Sequence, residues 1–332
     1  MTKRVVTILS GFLGSGKTTL LRRYLRERGG PDVAVVINEY GAVGVDHHLI
    51  RMVEERSVLL QGGCVCCSRR EDLVSALREL LDREQCGELP PIRQVIVETS
   101  GLADPVPILF TLATDSVLRN HFVAGSVVAT LDPLNAARQG NRQDNLIKQI
   151  SIADRVVITK SDLVSRQVLS RRRMEVRRLN PTAEILVAAF GDGFDVLAPS
   201  DRRDRVPLPP TEEDRGKSAI PHREVQAGTL MFHAPLNWPA FSVWLSMLLQ
   251  ARGPDVLRIK GLLDIGDAGP VVLNTAQHVV YPPEHLSGWP HEQRCSYLTC
   301  ITSSIDPARM ARSIEVFQNV GGQVGLKVSV LR

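Results

Sequence analysis

The stretch Gly11-Phe12-Leu13-Gly14-Ser15-Gly16-Lys17-Thr18 decides the fold. It matches Gly-x-x-x-x-Gly-Lys-[Ser/Thr] at every position, between a predicted buried strand over 4–9 and a helical pattern that begins at Thr19. A glycine-rich turn in this context directs backbone N–H groups and the positive end of a helix dipole at one point. Lys17 can then reach the β- and γ-phosphates, and the Thr18 hydroxyl can bind Mg²⁺. The stretch predicts a nucleoside triphosphate site with the contact residues Gly11, Gly14, Ser15, Gly16, Lys17, Thr18 and Thr19.

The composition sets outer limits on the class of protein. The chain has 332 residues, enough for two domains, and its 43% hydrophobic and 23% charged residues are typical of a globular protein. No apolar run approaches the roughly 18–20 residues that span a bilayer. The first strand begins almost at once, which predicts no signal peptide. The net charge of +4 is small, so a nucleic-acid partner is not expected.

Strand and helix patterns alternate as far as about residue 190. The predicted strands are 4–9, 33–37, 94–98, 126–131, 155–159 and 184–188. This alternation predicts an α/β fold of the P-loop NTPase type, with a mainly parallel sheet flanked by helices.

A change of character then divides the chain into domains. We expect a P-loop domain at 1–192, an exposed linker rich in proline and charge at 193–221, and a smaller α+β domain at 222–332. In the last of these, strands are expected near 223–232, 255–265, 270–274, 296–302 and 325–331, with helices near 238–251 and 307–319.

A base-recognition motif lies far downstream of the P-loop. Thr159-Lys160-Ser161-Asp162 follows a predicted strand and matches [Asn/Thr]-Lys-x-Asp. The Asp162 carboxylate can accept hydrogen bonds from N1–H and the 2-amino group of guanine, while the Lys160 stem covers the base. Adenine lacks that pair of donors, so the motif favours GTP over ATP. Ala188, in the loop after the next strand, is expected to pack against the base.

An apolar strand ending in Glu98 lies between these two motifs, and Gly101 follows shortly after it. A carboxylate at this place is expected to make the second protein contact to Mg²⁺, and Gly101 lets a backbone N–H approach the γ-phosphate. Lys17 and Glu98 are therefore the predicted catalytic residues. The alternative is a Glu98 side chain that is merely exposed at the end of a strand.

Three of the 6 cysteines stand within four residues, in Gly63-Cys64-Val65-Cys66-Cys67. Three thiolates supply most of a tetrahedral site for Zn²⁺, Co²⁺ or Cu(I). No fourth Cys or His follows closely, which favours an incomplete, exchangeable site over a structural zinc. Two alternatives remain open: a Cys64–Cys67 redox pair with Cys-x-x-Cys spacing, and inert thiols. Cys86, Cys295 and Cys300 are expected to be ordinary buried thiols.

In this order, the motifs resemble those of the CobW-type P-loop GTPases, relatives of the UreG and HypB nickel-insertion GTPases. The resemblance rests on Gly11–Thr18, Asn38-Glu39-Tyr40-Gly41, Gly63–Cys67, Glu98–Pro105, Thr159–Asp162, Arg258-Ile259-Lys260-Gly261 and the stretch from Gln277-His278 to Trp289-Pro290. It implies a cytoplasmic, GTP-dependent metallochaperone that delivers Zn²⁺ or Co²⁺ to a client metalloenzyme or cofactor pathway, with Glu39 near the metal or the nucleotide switch. Self-association is a further expectation. The chain lacks the histidine-rich tracts of several relatives.

Two other functions compete with this interpretation. One is a regulatory or RNA-associated GTPase with a structural zinc, supported only by the arginines at 171–173 and 177–178, which otherwise indicate a solvated helix face. The other is a P-loop kinase acting on a small molecule bound by the second domain, against which the Thr159–Asp162 motif argues.

Overall fold

The computed structural model describes residues 3–37, 57–59, 70–134, 143–199, 225–290, 294–323 and 325–331. Asn38–Gly41, the three cysteines of the Cys-x-Cys-Cys motif and residues 200–224 of the linker region lie outside the described residues. The chain divides into two compact units, and each has a seven-stranded sheet.

The first unit has a parallel sheet with the strand order β3-β2-β4-β1-β5-β6-β7. Its strands are β1 Arg4–Gly11, β2 Val33–Ile37, β3 Ser57–Leu59, β4 Gln94–Glu98, β5 Phe122–Leu131, β6 Arg155–Ile158 and β7 Glu184–Val187. Its helices are α1 Lys17–Arg28, α2 Arg70–Gln85, α3 Val106–Thr114, α4 Leu118–His121, α5 Gln143–Ile152 and α6 Arg166–Leu179.

Both faces of this sheet are covered. Successive residues of a strand point to opposite faces, and all five residues of β4 are buried, as are the last six of β1. On one face, Leu20, Leu21 and Tyr24 of α1 pack against Leu9 of β1 and Ile96 of β4. The predicted α/β class with a mainly parallel sheet is therefore confirmed.

The second unit has an antiparallel sheet with the order β11-β10-β9-β13-β8-β14, and β12 pairs with β10. Its elements are β8 Val225–Phe232, α7 Trp238–Arg252, β9 Val256–Leu263, β10 Val271–Ala276, β11 Val279–Val280, β12 Glu284–His285, β13 Ser296–Ser303, α8 Pro307–Val320 and β14 Val328–Leu331. Asn237 and Asp306 cap α7 and α8 by accepting hydrogen bonds from first-turn N–H groups. This is the expected α+β arrangement.

At the start of the predicted linker, Phe194–Leu197 form a 3₁₀ turn in which Val196 and Leu197 are buried with the first core, and the Leu197 carbonyl accepts a hydrogen bond from Gln94. Two details of the sequence interpretation need correction. The short strand β3 was not predicted. Of the three thiols expected to be buried, Cys295 is only half-buried, and Cys86 is exposed because it follows the last turn of α2 and precedes the turn at Gly87. The domain boundaries at 192 and 222 stay a prediction.

No helix in the described part of the chain is both long enough and apolar enough to cross a membrane.

Candidate nucleotide-binding site

A cavity of about 400 Å³ opens at the carboxyl ends of β1, β4 and β6. Ligands of open α/β sheets bind at this edge, where loops from several strands meet. Ten residues line the cavity: Gly14, Gly16, Lys17, Thr18, Thr19, Glu98, Thr99, Ser100, Gly101 and Lys160. The P-loop, the end of β4 and the base-recognition motif therefore all contribute to one site.

The P-loop presents the start of α1 to this cavity. Gly16 precedes the helix with a φ of 94°, a left-handed conformation that glycine adopts without strain. It has no side chain to cap the first turn, which also contains no acidic residue, so the positive end of the helix dipole faces the cavity. Ser15 fixes the loop, because its Oγ donates to the Phe12 carbonyl at 2.6 Å.

Lys17 lies along the inside of the loop. Its Nζ donates to the carbonyl oxygens of Gly11 at 2.9 Å and Phe12 at 3.2 Å, and the side chain is buried. A buried ammonium held by main-chain carbonyls is a compact positive charge at the wall of the cavity, suited to phosphate oxygens.

Thr18 and Glu98 meet across 80 residues of sequence. Thr18 Oγ1 donates to Glu98 Oε1 at 2.6 Å, and Glu98 is only 4% exposed. A hydroxyl and a carboxylate side by side on the cavity wall are the hard oxygen donors that Mg²⁺ prefers. The residues present thus fit the metal that usually accompanies a bound nucleoside triphosphate.

Gly101 lies against the P-loop. A Cβ added to it would overlap the backbone N and Cα of Leu13, so only glycine allows this approach. The segment after β4 is thereby held at the phosphate side of the cavity. Thr99 adds to this anchoring, because its N–H donates to the Leu9 carbonyl of β1 at 2.9 Å.

The base-recognition motif is tied to the P-loop and to the neighbouring strand. Thr159 Oγ1 donates to the Ser15 carbonyl at 2.6 Å. Lys160, with a φ of 52°, lines the cavity, and its Nζ forms an ion pair with Asp132 Oδ2 at 2.7 Å. Asp132 directly follows β5 and is buried. The ion pair fixes the Lys160 side chain at the wall of the cavity.

Asp162 and Ala188 lie on two loops that are joined to each other. The Ser161 N–H donates to the Ala188 carbonyl at 3.1 Å, which links the loop after β6 to the loop after β7. Asp162 is exposed in the short turn Ser161–Leu163, and Ala188 is buried. Neither residue is part of the cavity wall described above. Their roles toward guanine stay a prediction.

The predicted transition-metal ligands Glu39, Cys64, Cys66 and Cys67 lie outside the described residues. Within the part of the chain that is described, no cluster of three or more His, Cys, Asp or Glu side chains could hold a metal ion. Burial raises the pKa of the Cys300 thiol, which makes it a poor metal ligand.

Sequence reasoning missed Asp132. The available signal was the same as for Glu98: a carboxylate directly after a buried apolar strand. The partner of Asp132, however, is 28 residues away in the sequence, and nothing in the local pattern connects the two.

Comparison with known proteins agrees with this geometry. The family model described as CobW/HypB/UreG, nucleotide-binding domain, matches residues 5–187. The model of the cobalamin synthesis protein cobW C-terminal domain matches residues 225–318.

Two curated relatives each match more than half of the chain. Zinc chaperone YjiA of Escherichia coli (strain K12) is 37% identical over 187 residues, which cover 56% of this chain and 58% of YjiA. Zinc-regulated GTPase metalloprotein activator 1 of Schizosaccharomyces pombe is 34% identical over 205 residues, covering 58% of this chain and 47% of the relative. The matched segments thus span only about half the length of these relatives.

A crystal structure of Zn(II)-bound YjiA GTPase from E. coli superposes with a TM-score of 0.69 at 24% identity, covering 96% of this chain and 99% of that one. This likeness supports the fold. The resemblance inferred from the motifs is confirmed, since a family model matches more than half of the sequence. The chain belongs to the CobW/HypB/UreG family of nucleotide-binding proteins.

Proposed function

We propose that this protein is a GTP-dependent metallochaperone, which hydrolyses GTP and passes Zn²⁺ or Co²⁺ to a client metalloprotein or cofactor-inserting enzyme. Zn²⁺ is the preferred cargo, because the curated relatives above are named for zinc. The cargo ligands are Cys64, Cys66 and Cys67, with Glu39 beside them. We place the protein in the cytoplasm, where such thiols stay reduced.

One observation carries the link between nucleotide and cargo. In the first sheet, Leu59 of β3 pairs with Ile37 of β2, and Ile37 pairs with Glu98 of β4. Glu98 in turn accepts the hydrogen bond from Thr18. The last residues of β2 and β3 are therefore level with Glu98, which lines the cavity.

The sequence places the cargo ligands close to these strand ends. Glu39 is two residues beyond Ile37, and two residues span at most about 7 Å. The cysteines lie in the segment that joins Leu59 to Arg70, the first residue of α2. A segment attached at this point can respond to the γ-phosphate, as switch segments of GTPases do.

In the proposed reaction the described residues hold the nucleotide. Lys17 and the first turn of α1 bind the β- and γ-phosphates, Gly101 N–H faces the γ-phosphate, and Lys160 with Asp162 holds guanine. Mg²⁺, bound by Thr18 and Glu98, would supply charge neutralisation at the phosphates. GTP brings the cysteines together for cargo binding, and hydrolysis releases the cargo to the client.

Co²⁺ spectroscopy tests the assignment. With a non-hydrolysable GTP analogue, the protein should show sulfur-to-cobalt charge transfer in the near ultraviolet and intense visible d–d bands of a tetrahedral site. Cys66→Ser and Cys67→Ser should each abolish these bands and leave GTP binding in the absence of metal largely intact. Cys64→Ser should do the same, unless Glu39 takes its place as a ligand. Because thiolates must be deprotonated, cobalt uptake should release protons and weaken as pH falls.

Cys86→Ser is the matched control, since Cys86 is an exposed thiol of the same unit outside the motif, and this variant should keep the cobalt bands. A reversible Cys64–Cys67 disulfide under mild oxidant, with no thiolate–cobalt bands under any nucleotide condition, would overturn the proposal in favour of a redox role.

A further inference from the structure

Gln149 reaches from helix α5 to the segment that follows β4. Its side-chain Nε2 donates to the carbonyl oxygens of Ala103 at 3.0 Å and Gly101 at 3.3 Å. These partners are 46 and 48 residues away in the sequence. Gln149 is 1% exposed and lies among apolar α5 residues, of which Leu146 and Ile150 are buried.

Burial of this amide has a cost. Its Oε1 is buried and has no hydrogen-bond partner among the described residues. A buried acceptor without a partner destabilises the folded state, and an apolar side chain of similar size would avoid this cost. The two bonds from Nε2 are therefore the feature that distinguishes glutamine from a hydrophobic residue at this position.

The segment held by Gln149 is the one that faces the phosphate side of the cavity. Gly101 contacts Leu13 of the P-loop on one side and gives its carbonyl to Gln149 on the other. A turn closes the segment, because the Ala103 N–H donates to the Ser100 carbonyl at 3.1 Å. Fixing the Gly101 and Ala103 carbonyls fixes the backbone between Glu98 and α3.

We propose that Gln149 is a positioning residue for GTP hydrolysis: by binding both carbonyls it holds the Thr99–Ala103 segment where Gly101 N–H meets the γ-phosphate. This rests on the proposed function, in which the cavity binds and hydrolyses GTP. GDP has no γ-phosphate, so the affinity for GDP does not depend on this contact. Loss of the Gln149 donor therefore lowers turnover and leaves GDP binding unchanged.

Two substitutions separate positioning from packing. Gln149→Met keeps the volume and removes the donor, so its turnover should fall about 10-fold with an unchanged GDP dissociation constant. Gln149→Glu can donate only when its carboxyl is protonated. A carboxyl buried beside two carbonyls has a raised pKa, because burial disfavours its charged form.

Turnover relative to wild type is the quantity to follow against pH. For Gln149→Glu, turnover should be about 10-fold below that of wild type near pH 9, where the carboxylate repels the carbonyls. Near pH 6 it should recover to within about 3-fold of wild type. Gln149→Met should show no recovery. Melting temperatures at each pH verify that the variants are folded.

Gln318 gives a matched control, since it is 0% exposed in the second unit and donates from Nε2 to the Asn237 carbonyl at 3.1 Å. Gln318→Met should lower the melting temperature without changing turnover. The inference is wrong if Gln149→Glu follows Gln149→Met at every pH, or if GDP affinity falls in parallel with turnover. If wild-type protein neither binds GDP nor hydrolyses GTP, the proposed function itself fails.

Discussion

Buried polar side chains are placed differently in the two sheets. In the first unit a group of them gathers where the parallel strands end: Ser15, Lys17, Glu98, Thr130, Asp132 and Thr159. In the second unit several of them lie on strands of the antiparallel sheet: Thr229, Arg258, Lys260, Thr275 and Thr299.

Their contacts differ in the same way. In the first unit Thr18–Glu98, Lys160–Asp132 and Thr159–Ser15 join different loops around one cavity. In the second unit Thr229 and Thr299 bond to each other at 3.0 Å, and Thr275 Oγ1 accepts from the Ile259 N–H, so both contacts join neighbouring strands. Buried polar groups are costly unless they are paired. Because the contacts in the first unit surround a cavity whereas those in the second join strands, we expect the polar residues that bind a ligand to be among the first group.

Two buried lysines give the largest expected difference between the units. Lys17→Ala should weaken GTP and GDP binding by about 10- to 150-fold or more, because each charged hydrogen bond lost is worth about 1.5–3 kcal/mol. Lys260→Ala should lower the melting temperature of the second unit and leave nucleotide affinity within about twofold, because Lys260 belongs to the second sheet and does not line the cavity. Calorimetric titration measures the nucleotide affinity of each variant, and equal losses of affinity in the two variants would contradict this difference.

Glu98 should separate hydrolysis from binding. Glu98→Gln removes the charge beside Thr18, so GTP turnover should fall about 10- to 100-fold while GDP affinity changes less than about 3-fold. Glu184→Gln is the control, since Glu184 is an exposed partner of Arg155 at the start of β7. Phosphate release kinetics give the turnover, and a normal rate for Glu98→Gln would contradict its assignment.

Asp162 should decide the choice of base. Asp162→Asn replaces an acceptor by a donor toward guanine N1–H, so the preference for GTP over ATP should fall by roughly 5- to 150-fold, the equivalent of about 1–3 kcal/mol. Asp195→Asn serves as the control, because Asp195 is an exposed carboxylate of the same unit that pairs with Arg28. Competition binding measures the ratio, and an unchanged preference in Asp162→Asn would place the base site elsewhere.

The smallest expected difference between the two units is in the reactivity of two thiols. Cys86 is exposed in the first unit, whereas Cys300 is buried in the second and its pKa is raised by burial. The thiolate is the reactive form, so iodoacetamide should label Cys86 in the folded protein and Cys300 only after unfolding. Mass spectrometry of digests reads the order of labelling. Early labelling of Cys300 would show that the second core opens readily.

Much of the fold could be predicted because its signals are local. The apolar runs that form β2 and β4 gave 33–37 and 94–98, the same bounds that the structure has. The strand predicted at 126–131 begins at Phe122 in the structure. The prediction started too late because Gly125 and Ser126 interrupt the apolar pattern of β5. Ser57–Leu59 was missed because three residues do not establish a period.

The site was predictable only where its residues form contiguous motifs. Gly11–Thr18 and Thr159–Asp162 each show a recognisable spacing in the sequence. The contacts of Asp132 with Lys160 and of Gln149 with Gly101 join distant segments, and they exist only because β5 and α5 lie beside those loops in the fold. No local pattern of residue types contains that information.

The affinity for Zn²⁺ in each nucleotide state is the decisive measurement of the coupling between GTP and cargo. Zn²⁺ titrations of the wild-type chain with a non-hydrolysable GTP analogue, with GDP and without nucleotide would give three dissociation constants. We expect the tightest binding with the GTP analogue, by up to about 150-fold for a coupling of about 3 kcal/mol. Zn²⁺ must then tighten binding of the analogue by the same factor. Equal zinc affinities in all three states would contradict the coupling of GTP to cargo.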